Sequence, residues 1–214
     1  MLRVTFALLI AVAGLSVGAA EPSIYRMDFQ NAEVGKVPEG MLVLDGGFAV
    51  QEDTGGRFLE LPGSPLETYG VLFGPTETNN VSVTARIYGT AKGRRYPAFA
   101  VGLGGANGFK LRVSPGKNEL EIFKGDTDLL SVPFNWSSGK WMHLRLQIRQ
   151  DGANVWKVEG KAWPDGESEP VAWLITLDEK EAPRPGRAAI WGAPYAGTPI
   201  RYDDLAVTKA AAAP

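Results

Sequence analysis

The 214-residue sequence contains no cysteine and only one histidine, His143. Without cysteine there is no disulfide framework, no thiolate nucleophile and no thiolate zinc site. A single histidine also excludes any site that needs two imidazole groups. A metal or catalytic centre built mainly on cysteine and histidine is therefore excluded.

The sequence also has no large excess of positive or negative charge. The 22 Lys and Arg residues nearly balance the 24 Asp and Glu residues, and the formal net charge is -2. A surface that binds nucleic acid needs a cluster of positive charge, so no nucleic acid partner is expected. With 44% hydrophobic residues, the composition is that of one globular domain.

Long apolar runs are absent after the first twenty residues. Residues 1–20 carry one base, Arg3, then an apolar stretch and small residues at its end. This pattern is typical of a secretory signal peptide, because the apolar stretch is shorter than the roughly 20 residues that span a bilayer. We expect residues 1–20 to be cleaved, 21–208 to form the domain and 209–214 to be a disordered tail. An uncleaved N-terminal anchor is the alternative.

Cleavage would leave a secreted or periplasmic protein with no membrane contact. The absence of cysteine suits a bacterial periplasm or cell exterior, where a domain of this size folds without disulfides.

An alternation of apolar and polar residues dominates the rest of the chain. Residues 81–87 and 141–149 each place apolar side chains on one face and polar ones on the other, as in a strand with one buried face. Shorter candidate strands are 25–29, 47–51, 58–61, 70–73, 98–103, 109–113, 120–122, 129–132, 155–161, 171–177, 188–191 and 202–208. Glycine-containing turn signals separate them. So many short strands predict an all-β fold, a two-sheet antiparallel β-sandwich of the jelly-roll type.

Three short motifs resemble, in order and separation, those of concanavalin A-like lectin and glucanase domains. They are YRMDF at 25–29, GKWMHLRL at 139–146 and YDDLAV at 202–207. The resemblance covers about residues 24–208 and implies a curved jelly roll whose concave sheet holds carbohydrate in related lectins and glycosidases. The families it resembles include laminin G-like binding domains, family 16 glucanases and bacterial 3-keto-disaccharide hydrolase domains.

Candidate catalytic carboxylates are sparse. A retaining glycosidase needs two carboxyl groups about 5 to 5.5 Å apart. Glu119 and Glu121 come nearest, because residues i and i+2 of a strand share one face. Family 16 enzymes carry a third acid further along the strand, whereas Phe123 and Lys124 occupy its place here. We therefore interpret both glutamates as polar residues of a hairpin and predict no catalytic residue.

His143 is the other weak catalytic candidate. It lies on the polar side of its strand, where a carboxylate from a neighbouring strand could orient it as a general base. A surface histidine without a catalytic role is the alternative.

Sugar binding needs flat rings that lie against the C–H faces of pyranoses, and planar polar groups that hold the hydroxyls. Polar residues of the predicted strands and aromatic residues near the Gly- and Pro-containing turns meet these needs. The candidate ligand-binding residues are Arg86, Arg112, Arg145, Gln147, Trp191 and Tyr195. If the polar strand faces point into the concavity, the arginines and Gln147 form one ribbon of donors. The alternative is that these faces are polar only because they are outward.

A structural Ca²⁺ is the one cofactor considered. In many of the domains that the sequence resembles, the first and last strands supply calcium ligands, and Asp28 and Asp204 stand at matching positions. Ca²⁺ takes six to eight oxygen ligands, so further oxygens would be needed. The alternative is that both aspartates accept backbone N–H groups at strand ends.

The sequence thus predicts a secreted, non-catalytic domain that binds a glycan or glycoconjugate on its concave sheet. Two alternatives remain open. One is a glycoside hydrolase or lyase of the 3-keto-disaccharide hydrolase type. The other is a structural or protein-interaction module of the laminin G-like type.

Overall fold

The computed structural model describes residues 22–64 and 67–210. Within them, fifteen strands form two antiparallel sheets and there is no helix, which confirms the all-β two-sheet sandwich. No helix in these two ranges therefore has the length and apolar character of a membrane span. The proposed signal peptide, 1–20, and residues 211–214 of the proposed tail lie outside the described residues.

The strands follow one another along the chain in this order. They are β1 (Ser23–Met27), β2 (Leu42–Asp45), β3 (Ala49–Asp53), β4 (Gly56–Leu61), β5 (Tyr69–Glu77), β6 (Val81–Tyr88), β7 (Ala98–Leu103), β8 (Phe109–Ser114), β9 (Glu119–Lys124), β10 (Thr127–Pro133), β11 (Trp141–Gly152), β12 (Val155–Pro164), β13 (Ile175–Glu179), β14 (Gly186–Ala193) and β15 (Ile200–Lys209).

The strands divide into sheet A, with eight strands, and sheet B, with seven. Sheet A has the order β13-β12-β11-β6-β15-β4-β3, and β1 also pairs with β15. Sheet B has the order β10-β9-β8-β7-β14-β5-β2. Strands that are neighbours in a sheet are often distant in sequence, so residues from separate parts of the chain meet on each surface.

The core lies between the sheets and is built by the predicted alternation. In β6, Val81, Val83, Ala85 and Ile87 are buried, while the residues between them face outwards. Strands β8 and β11 show the same alternation and contribute to the same apolar cluster. Each strand of this kind therefore offers its second face to the exterior.

The structure shifts or extends several predicted strands, such as 25–29, which is Ser23–Met27, and 70–73, which is Tyr69–Glu77. Three further differences concern β2, β13 and β15. Strand β2 was not predicted because residues 41–44 form an apolar run, MLVL, without alternation; it lies at the edge of sheet B, where Leu42 is 51% exposed. The strand expected at 171–177 is instead Ile175–Glu179, and the misleading Val171 is 98% exposed. The last strand runs through Lys209, past the predicted domain boundary.

Strand β15 changes its partner at Asp203 and Asp204. The first part, Ile200–Tyr202, pairs with β4, whereas Leu205 and the residues after it pair with β1. Between them Asp204 has a positive φ of 48°, and the register against β6 shifts. The side chain of Asp204 is exposed and pairs with Arg86 at 3.0 Å.

The two sheets approach each other closely at Gly160 of β12. A Cβ placed on Gly160 would lie 2.4 Å from Leu111 of sheet B and 2.8 Å from Ile175 of β13. The leucine side chain thus occupies the space that a larger residue at 160 would need.

We expect Gly160→Ala to destabilise the domain by about 1–3 kcal/mol, because the added methyl group overpacks a filled core. Gly152→Ala is the matched control, since nothing lies within 4 Å of a Cβ at that position. Urea unfolding monitored by tryptophan fluorescence measures both. Equal stabilities for the two variants would contradict the close contact.

Candidate functional site

The sandwich has two outer faces, and the candidate ligand-binding residues are divided between them. Arg86 and Arg145 project from the outer face of sheet A, on β6 and β11, where Gln147 also lies but is buried. Arg112 and Trp191 lie on sheet B, with Tyr195 just beyond β14. The expectation of one continuous ribbon of donors is therefore wrong, because alternation identifies the outward face of a strand but not its sheet.

On sheet B, the register builds a row of outward residues across four strands. Trp191 of β14 lies between Gly70 of β5 on one side and Ala100 of β7 on the other. Ala100 in turn pairs with Arg112 of β8. Gly102 stands in the neighbouring row, opposite Lys110. The small residues leave the surface low between Trp191 and Arg112.

A hollow of about 210 Å³ occupies this low surface, and we call it the Trp191 hollow. Its lining is Thr68, Ala98, Phe99, Ala100, Lys110, Arg112, Phe123, Gly125, Asp126, Trp191, Gly192, Ala193 and Tyr195. Three of the candidate residues, Arg112, Trp191 and Tyr195, therefore share one cavity. Sequence reasoning missed Lys110 and Phe123, although alternation places both on the same face as Arg112.

Trp191 lies flat on the sheet because glycine makes room for it. A Cβ on Gly70 would lie 2.5 Å from the six-membered part of the indole, and one on Gly102 would lie 3.1 Å from the indole nitrogen. The Lys110 ammonium is 4.2 Å from the ring centroid, within range of a cation–π contact. The indole N–H is buried and finds no acceptor among residues 22–64 and 67–210.

Arg112 is held in place by a buried carboxylate. Its Nε donates to Glu121 Oε2 at 2.7 Å, and its guanidinium carbon lies 3.9 Å from the centre of the Phe123 ring. Glu121 is 0% exposed and also accepts hydrogen bonds from Lys117, at 2.7 Å, and from the Ser114 hydroxyl. The planar group of Arg112 is thus fixed at the side of the hollow.

These contacts also set the charge of Glu121. Burial acts to raise the pKa of this carboxyl, but the hydrogen bonds from Arg112, Lys117 and Ser114 outweigh it and lower the pKa below its usual value. Glu121 is ionised at neutral pH and committed to three donors. Glu119 faces the same side of β9, opposite Ser114, and is only half-buried.

We expect Glu121→Gln to destabilise the domain by about 2 kcal/mol at neutral pH, because it leaves two cations without their buried partner. Because the pKa is lowered in the folded state, the wild-type carboxylate stabilises above about pH 4.5 and loses this effect as the pH falls further. The difference between variant and wild type should therefore shrink in acid.

Glu119→Gln is the control and should change stability by less than about 0.5 kcal/mol. Chemical unfolding at neutral and acid pH gives both comparisons. Equal losses for the two glutamine variants would refute the role assigned to Glu121.

The outer face of sheet A carries a second cluster. Arg86 pairs with Asp203, with Asp204 at 3.0 Å and with Asp165 at 3.5 Å. His143, beside Arg86 in the register, lies 2.7 Å from Asp165 through Nε2 and stacks on Trp163 with ring centroids 5.1 Å apart. Sequence reasoning missed Asp165 and Trp163, because both reach His143 only through the pairing of β11 with β12.

The pKa values of two carboxyl groups in this cluster shift in opposite directions. Burial acts to raise the pKa of Asp165, but His143 and Arg86 outweigh it and the pKa is lowered. For Asp203, burial raises the pKa, and the opposing contacts with Arg86 and the backbone do not cancel it. Arg86 therefore faces carboxylates of unequal proton affinity.

Arg145 and Gln147 bind neighbouring side chains of sheet A. Arg145 donates to Ser82 at 2.8 Å and pairs with Glu169 at 3.3 Å. Gln147 is buried and donates to Glu159 at 3.1 Å. Arg145 and Gln147 therefore both have hydrogen-bond partners within the protein.

The two candidate calcium ligands, Asp28 and Asp204, line one cavity of about 770 Å³ at the edge of sheet A. Asp28 accepts a hydrogen bond from the Gln30 backbone N–H at 3.2 Å, and Asp204 is paired with Arg86. The described part of the chain brings together no group of three or more acidic or histidine side chains suited to a metal. The residues therefore do not by themselves fit Ca²⁺, which takes six to eight oxygens, and calcium binding stays a prediction.

Comparison with solved structures gives the same fold at low sequence identity. The carbohydrate binding module CBM66 from Bacillus subtilis has a TM-score of 0.53 at 11% identity, over 79% of this chain and 95% of the module. The metal-free carbohydrate recognition domain of Emp46p has a TM-score of 0.55 at 11% identity, over 88% and 96%. The apo Crh5 transglycosylase has a TM-score of 0.56 at 13% identity, over 89% and 87%.

No family model matches the sequence, and no curated protein matches it. The structural likenesses show that the chain shares the two-sheet β-sandwich fold of these proteins. Binding modules, lectin domains and enzymes share this fold, so the fold alone does not define a function.

Proposed function

We propose that this chain is a secreted or periplasmic, non-catalytic domain that binds a glycan or glycoconjugate, and that the Trp191 hollow on sheet B is its binding site. In this proposal sheet B is the concave sheet. The main observation behind this proposal is that Tyr195, Arg112 and Lys110 line one hollow, together with small residues such as Ala100 and Gly192. The proposal of secretion depends on residues 1–20, which lie outside the described ranges.

Tyr195 is the ring best placed to stack on a sugar. It is 41% exposed, and its turn is closed by hydrogen bonds from Tyr195 N to Ala193 O at 2.9 Å and from Gly197 N to Pro194 O at 2.8 Å. An exposed flat ring held by a short turn presents a face to a pyranose with little conformational freedom to lose.

The guanidinium of Arg112 complements this ring. Its hydrogen bond to Glu121 uses Nε, and no residue in the described ranges hydrogen-bonds its two terminal amino groups. Planar N–H groups in a fixed orientation are suited to sugar hydroxyls, which accept hydrogen bonds. The names of two structural neighbours, a carbohydrate binding module and a carbohydrate recognition domain, support the same function.

Tyr195→Ala should weaken glycan binding about tenfold, because it removes the stacking ring, whereas Tyr195→Phe should bind within about twofold of wild type. A glycan array first identifies a ligand, and isothermal titration calorimetry then measures the variants. Tyr96→Ala is the matched control, since Tyr96 is equally exposed, at 40%, and does not line the hollow.

Binding that is unaffected by Tyr195→Ala would place the site elsewhere. A domain that binds no glycan on the array would favour the alternative of a protein-interaction module.

Catalysis is a second candidate function, and the contact between His143 and Asp165 is the observation that favours it. A carboxylate that orients an imidazole is the usual arrangement around a general base. On the binding proposal, we expect no turnover of aryl glycosides or 3-keto sugars by the wild-type protein. Turnover that His143→Gln abolishes, while Glu119→Gln leaves it intact, would overturn that expectation.

A further inference from the structure

The charged residues that line the Trp191 hollow are two cations, Lys110 and Arg112, and one carboxylate, Asp126. Asp126 is fully exposed, and its Oδ1 lies 3.8 Å from Lys110 Nζ, which is too far for a hydrogen bond. Glu121 compensates Arg112 but also pairs with Lys117. Among the residues that line the hollow, the two cations outnumber the one carboxylate, and Lys110 has no partner within hydrogen-bond distance in the described ranges.

Lys110 is poorly solvated as well as weakly paired. Its side chain is only 15% exposed, and its ammonium lies over Trp191. Burial lowers the pKa of Lys110, and Asp126 opposes this without cancelling it. A desolvated ammonium of this kind gains more from a close anion than an exposed lysine does.

The charged donors at the hollow are the Lys110 ammonium and the guanidinium of Arg112, beside the exposed Asp126 carboxylate and the hydroxyls of Thr68 and Tyr195. The two cations lie two residues apart on the outward face of one strand. A sugar hydroxyl both donates and accepts, whereas an ionised carboxylate only accepts. The hollow therefore matches a carboxylate better than it matches hydroxyls alone.

We propose that the Trp191 hollow selects a uronic acid residue of a glycan, with Lys110 and Arg112 holding its carboxylate while Tyr195 stacks on the sugar ring. This inference rests on the proposed function, since it assigns the class of sugar to the same site. It differs from general charge attraction because it requires Lys110 in particular.

The test uses trigalacturonate, a hyaluronan tetrasaccharide and an oligomannuronate, each beside its methyl ester, in which every carboxyl group gains a methyl group and loses its charge. By calorimetry at low salt, at least one acid should bind about tenfold more tightly than its ester. Lys110→Met keeps the methylene packing on Trp191 and should remove this advantage. Lys140→Met, a change at an exposed lysine outside the hollow, should keep it.

The results distinguish a failure of uronate selection from a failure of glycan binding at the Trp191 hollow. If the esters bind as tightly as the acids and Tyr195→Ala weakens both, the hollow binds neutral glycans and the uronate assignment is overturned. A sulfated oligosaccharide that binds as tightly as the best uronate would also overturn it. If no acid, ester or neutral glycan shows binding that Tyr195→Ala weakens, the proposed function itself fails.

Discussion

The two sheets share one apolar layer, and every strand that contributes to it sends its alternate side chains outwards. This constraint leaves the cross-strand register to decide which outward residues become neighbours. In sheet B the register places Gly70 and Ala100 on either side of Trp191, with Arg112 next in the row. The Trp191 ring covers Gly70, and the hollow lies on the other side, where the outward side chain of Ala100 is a single methyl group.

The outer faces of the two sheets treat their charges differently. On sheet A, Arg86 contacts three aspartates, and Gln147 is buried against Glu159. A single ion pair at a surface contributes little stability. Several together hold the side chains in place, and the N–H groups of those side chains then already have acceptors within the protein. On sheet B, Lys110 has only a distant partner. Both outer faces are polar, but sheet B is the better place for a ligand, because Lys110 keeps hydrogen-bond donors that no nearby protein group accepts.

The sequence predicts the fold class and the outward residues well, because a period of two is visible in a single strand. Lys110, Arg112 and Phe123 all fall on the outward face that alternation assigns to them. It does not predict which strands are neighbours, since Trp191 meets Ala100 through a pairing of segments far apart in the chain. Arg112 and Arg145 looked alike in sequence, and only the sheet order separates them.

Strand β2 shows the other limit of the pattern. Residues 41–44 read MLVL, an apolar run without alternation, because the strand lies at an edge where its leucines are exposed. A period of two therefore gives no sign of this strand.

Glu121 connects the stability of the domain with its proposed site. A buried carboxylate is costly unless donors compensate it, and here Arg112, Lys117 and Ser114 do so. The same contacts that make Glu121 unsuited to nucleophilic attack hold Arg112 against Phe123 before any ligand arrives. A donor that is already ordered loses less conformational entropy on binding, so on the proposed function Glu121 would contribute by holding Arg112 in place before the ligand binds.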